Sequence, residues 1–75
     1  MNVNEAMLNG LYRAVYEANT MPGFDKPADL FQIKKDAAFC GYVLKGQTGS
    51  WYLESLDGHV LSPEAIEEKV NEIFE

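Results

Sequence analysis

One histidine and one cysteine are the residues with which this chain could do acid–base or nucleophilic chemistry. His59 carries the side chain whose ordinary pKa lies near neutrality. Asp57 or Glu54 could orient it, and Ser55 and Ser62 stand near it in sequence. Ser62 is better read as a helix cap, and nothing resembles the strained strand-to-helix turn that presents a nucleophilic serine. Cys40 would become a nucleophile with His59 as its base if the two met across a sheet. Its neighbours Phe39 and Gly41 instead place it in an apolar run, where a thiol packs and stays inert. No catalytic residue is assigned, and the chain reads as non-enzymatic.

Phosphate and metal chemistry fare no better. The segment 45–50, KGQTGS, has the glycines of a phosphate loop but not their order. A phosphate loop ends in Gly-Lys followed by Ser or Thr and leads from a strand into a helix. Here the segment joins two predicted strands and reads as a hairpin. Glu64, Glu67, Glu68 and Glu72 form an acidic ridge on the last predicted helix, with Glu64–Glu68 and Glu68–Glu72 four apart. A selective cation site needs more ligands gathered in three dimensions, and the calcium-loop pattern is absent. A lone cysteine builds neither a zinc site nor an internal disulfide. No metal and no cofactor is expected.

Charge narrows the partners. Twelve acidic residues against six basic ones give −6, a balance that repels a phosphate backbone and an anionic membrane surface. Five glutamates and one lysine fall in residues 64–75. A protein with a basic surface is the better-matched partner. The plain alternative is that the charge serves solubility. Lys34 and Lys35, with Phe31 nearby, could touch nucleic acid if residues 28–38 were a recognition helix and the 46–49 hairpin a wing. Asp29 and Asp36 offset them, so this winged-helix-like regulator is the alternative reading.

The elements that position these residues are clearer. At 75 residues, 47% apolar and 12% aromatic, the chain is expected to form one domain spanning 1–75. Residues 3–19 read as a helix with Met7, Leu8, Leu11, Tyr12, Val15 and Tyr16 on one broad face. Gly10 interrupts it, and the lack of a side chain suggests a close neighbour. Met21-Pro22-Gly23 ends it. Phe24, in the loop 20–27, reads as a plug over the core, with an exposed anchor as the rival.

Residues 28–38 fit a short helix, with Asp25 as cap and Pro27 in the first turn, or a strand through the alternation of Leu30, Gln32 and Lys34. The helix is preferred. Strands are expected at 39–45, with a bulge at Gly41, at 50–56 and at 59–61. Asp57-Gly58 is expected as a two-residue turn. Trp51 and Leu53 should face the core. Cys40 or Phe39 should share the other sheet face with Tyr42, Leu44, Tyr52 and Leu56. The last helix starts at the cap Ser62 with Pro63 next, and buries Ile66, Val70, Ile73 and Phe74.

These features give an α+β fold in the order α-α-β-β-β-α, a three-stranded antiparallel meander covered by the N- and C-terminal helices. The expected role is a small acidic protein-interaction or regulatory domain. Its candidate surface combines Glu64, Glu67, Glu68 and Glu72 with Tyr12, Tyr16, Phe24 and Tyr52. One form of that role is an inhibitor whose carboxylates imitate phosphates. Another use of the second apolar sheet face is a homodimer in a structural or assembly role. No basic leader and no apolar run of about 18 residues is present, so the expected location is cytoplasmic and no membrane is involved.

Overall fold

Residues 3–74 are described by the structure, a computed structural model. The order is α1 (Val3–Thr20), α2 (Pro27–Phe39), β1 (Tyr42–Lys45), β2 (Tyr52–Ser55), β3 (Val60–Leu61) and α3 (Pro63–Phe74). The strands form an antiparallel sheet in the order β1-β2-β3, with β1 and β3 at its edges. Helix α1 packs against both α2 and α3, while α2 meets β1 and α3 meets β3.

Each helix follows from its local chemistry. In α1 the three-and-four spacing buries Leu11, Tyr12, Val15 and Ala18. The segment 28–38 is helical. Lys26, not Asp25, precedes the first turn, and its backbone N–H donates to Asp29 Oδ2 at 3.3 Å. A proline in the first turn and a carboxylate at the positive end favour this start. In α3 the Ser62 Oγ accepts the Ala65 N–H at 3.1 Å, the expected cap. Ile66 and Val70 are buried, but Ile73 and Phe74 stay 38% and 45% exposed, edging the α1 surface, where Arg13 lies 5.0 Å from the Phe74 ring centroid. Glu75, the last of the five glutamates in residues 64–75, lies outside the described residues.

The first strand starts later than its hydrophobicity suggests. Phe39 still belongs to α2, and the Cys40 N–H donates to the carbonyls of Asp36 and Ala37 at 3.0 Å. Gly41 has φ +86°. It is the left-handed residue that releases the chain from a helix end, not a bulge inside a strand.

Register sets the sheet faces. Leu44 pairs with Leu53, and Leu53 with Leu61, making a row turned toward the helices. Tyr42 lies on that same face, paired with Ser55. Leu44 and Tyr42 were expected on the far face; a strand beginning at Tyr42 instead points both inward. The outward rows are Val43–Glu54–Val60 and Lys45–Tyr52. Lys45 Nζ and Glu54 Oε2 are 3.0 Å apart across them. The second apolar face is therefore small and interrupted by charge.

The second hairpin has a three-residue connection, Leu56-Asp57-Gly58, not the expected two. Ser55 N–H donates to His59 O at 2.8 Å, and Gly58 N–H to Ser55 O at 3.0 Å. The core is one cluster drawn from all three helices and the first two strands, with Leu53, Ile66 and Val15 fully buried.

Candidate functional site

The hairpin places Ser55, Asp57 and His59 together. The Ser55 hydroxyl donates to Asp57 Oδ1, and Ser55 Oγ accepts the His59 backbone N–H at 2.9 Å. His59 Nδ1 lies 3.9 Å from Asp57 Oδ1. The carboxylate thus sits between hydroxyl and imidazole. Proton removal from serine requires the imidazole in that middle place. The Ser55 hydrogen bond, then His59, holds the Asp57 carboxyl below its usual range. With the His59 side chain 85% exposed and that of Asp57 74% exposed, water is not excluded. The arrangement builds the turn.

Cys40 sits at the end of α2, half-buried, and lines a cavity of about 380 Å³ with Asn4, Leu8 and Phe39. Burial, and secondarily the Asp36 charge, push its thiol pKa up, so the thiolate needed for attack is scarce. No hydrogen bond joins it to His59 among the described residues.

The residues expected to make one interaction surface lie in several places. Tyr12 is not exposed: only 6% of it reaches solvent, and it stands in the core. Its position on the inward face of α1 brings it to Tyr42. Burial, then the hydrogen bond with Tyr42, raises its pKa to about 12. Tyr16 is half-buried and lines a cavity of about 140 Å³ with Asn19, Glu64 and Glu67. Glu68 and Glu72 are exposed farther along α3. Phe24 covers part of a groove over Ala14 and Ile33, yet stays 48% exposed. Tyr52 is on the outward sheet face. The fold brings Tyr16 to the acidic ridge and leaves Phe24 and Tyr52 elsewhere.

A different face gathers more. On α2 the inward side carries Ile33 and Ala37, both buried. The outward side carries Phe31 and Phe39, 64% and 65% exposed. Lys34 and Lys35 are exposed beside them. Lys35 Nζ lies 5.7 Å from the Phe31 ring centroid, a cation–π distance. Neither lysine has a carboxylate within ion-pair distance among the described residues. The sequence signal was the spacing of Phe31, Lys35 and Phe39, four apart, opposite the inward stripe.

Among the described residues no three His, Cys, Asp or Glu side chains are placed to hold a metal ion, and no helix is long and apolar enough to cross a membrane. Compared with family models, with curated proteins and with solved structures, the chain matches none.

Proposed function

We propose that this chain is a small non-enzymatic domain that docks onto another protein through the outward face of α2. The carrying observation is the pair of phenylalanines, Phe31 and Phe39, two turns apart on one helix and largely exposed. Aromatic anchors within a polar rim are the usual source of interface affinity. Lys34, Lys35 and Gln32 supply such a rim. The role is regulatory or scaffolding, since the hairpin carboxylate and the half-buried thiol support packing and turn formation.

The test compares the chain with a Phe31→Ser/Phe39→Ser variant, each immobilised and cross-linked in extract of the source cells. A species captured by the first and lost by the second is expected, at unchanged helix content by circular dichroism. Identical capture by both would overturn the reading.

A second reading rests on the same helix. Lys34 and Lys35 are exposed on it, as nucleic-acid contact requires. Mobility shift of a duplex at low salt, abolished by Lys34→Ala/Lys35→Ala, would favour this reading. The net charge of −6 opposes it.

A further inference from the structure

The outward face of α2 has a regular spacing. Ala28, Phe31, Lys35 and Ala38 follow one another at intervals of three, four and three, all exposed. That is the seam by which one helix receives another. Phe39 and Gln32 flank it on one side and Lys34 on the other. The helix therefore has two stripes: Leu30, Ile33 and Ala37 toward the domain, and this seam toward solvent. A helix apolar on both sides is ordinarily covered on both sides.

Charge selects what covers it. Lys35 stands within the seam over the Phe31 ring and Lys34 beside it, both near its middle and neither in an ion pair among the described residues, while Asp29 and Asp36 of the same helix accept from the Lys26 N–H and the Gln32 amide. Packing α2 against α2 of a second copy about a two-fold axis would bring these four ammonium groups together. Like charges face to face disfavour that dimer. A partner with carboxylates at the facing positions would instead neutralise both lysines while its apolar residues cover Phe31 and Phe39.

Resting on the docking role proposed above, we infer that the partner segment is an acidic amphipathic helix of another protein. Its apolar residues repeat at three and four, and its carboxylates lie opposite Lys34 and Lys35. Phe31 and Phe39 supply the contact area; the lysines supply the selectivity and the salt dependence.

The experiment uses the whole chain, labelled with nitrogen-15, and two synthetic helical peptides. Both carry leucines at the seam positions; one is flanked by glutamates, its counterpart by lysines. The acidic peptide is expected to shift amide resonances of residues 28–39, and to weaken as salt is raised. Lys34→Glu/Lys35→Glu should weaken it about tenfold, and the same variant should gain binding to the lysine peptide. Equal or tighter binding of the lysine peptide to the unmodified chain would overturn the acidic partner while leaving the docking face standing. The absence of shifts on α2 with both peptides would overturn the helical partner. A doubled mass without peptide, returned to the monomer by Phe31→Ser, would show a second copy as occupant and overturn the inference as well.

Discussion

The side-chain amide of Asn19 holds both backbone groups of Trp51. Its Oδ1 accepts the Trp51 N–H at 2.7 Å, and its Nδ2 donates to the Trp51 carbonyl at 2.9 Å. A side chain here takes the place of a neighbouring strand, fastening the end of α1 to the start of β2. The clamp orients the Trp51 ring, which packs against the core. Asn19→Ala removes both bonds and leaves two partly buried backbone groups without partners. The expected cost is about 1–3 kcal/mol, read as a lower urea midpoint, with Trp51 fluorescence shifted to the red. An unchanged midpoint and spectrum would show that the clamp is dispensable.

Two glycines should respond in opposite directions. Gly41 has φ +86°, so Gly41→Ala strains the helix exit and should destabilise the fold by about 1–2 kcal/mol. Gly10 lies inside α1 with nothing within 4 Å of where a Cβ would sit, so the close neighbour expected for it is absent. Gly10→Ala should therefore stabilise by about 0.5–1 kcal/mol. Thermal melts of the two variants check the pair, and a shared sign would refute the assignment.

Alkaline stability should depend on Tyr12. Its folded pKa, about 12, exceeds the ordinary value of 10.0. The folded state holds the phenolic proton where the unfolded state releases it. Stability from this group is complete below the unfolded value and is lost as pH rises from there through the folded one. Tyr12→Phe should flatten the fall in melting temperature across that window. Tyrosinate absorbance followed with pH gives the same answer directly: one tyrosine titrating late in the native chain and absent in the variant.

Core and outward helix face should separate cleanly. Leu53 is fully buried, and Leu53→Ala should cost about 2–5 kcal/mol. Phe31→Ser and Phe39→Ser, at exposed positions, should each stay within about 0.5 kcal/mol. Chemical denaturation of the three variants tests this, and a large loss from either phenylalanine would place it in the fold's own packing.

The parts legible in the sequence were those fixed by local chemistry. The apolar face of α1 and the Ser62-Pro63 start of α3 need only neighbours a turn away. Phe39 and Cys40 read as strand because Gly41 can serve either a bulge or a helix exit, and only the carbonyls of Asp36 and Ala37 decide between them. That shift moved Tyr42 and Leu44 from the far face to the core. The Asn19–Trp51 clamp joins residues 32 apart, a pairing no local pattern announces. Among the site residues, Tyr12 carried two readings, on the apolar face of α1 and in the candidate surface, and its 6% exposure in the core decides for the first. The outward face of α2 was in the spacing but masked by the helix-or-strand ambiguity of its segment.

The sheet's two borders bear on how the chain behaves when crowded. β3 offers only Val60 and Leu61, and the four-residue β1 ends in Lys45. Such short rims offer an incoming strand few ladder bonds and meet it with an ammonium group. On the outward side, Glu54 lies between Val43 and Val60 and breaks the dry stacking that fibrils need. Concentrated solutions of the folded chain should therefore resist cross-β fibre growth, even with bare phenylalanines on a nearby helix.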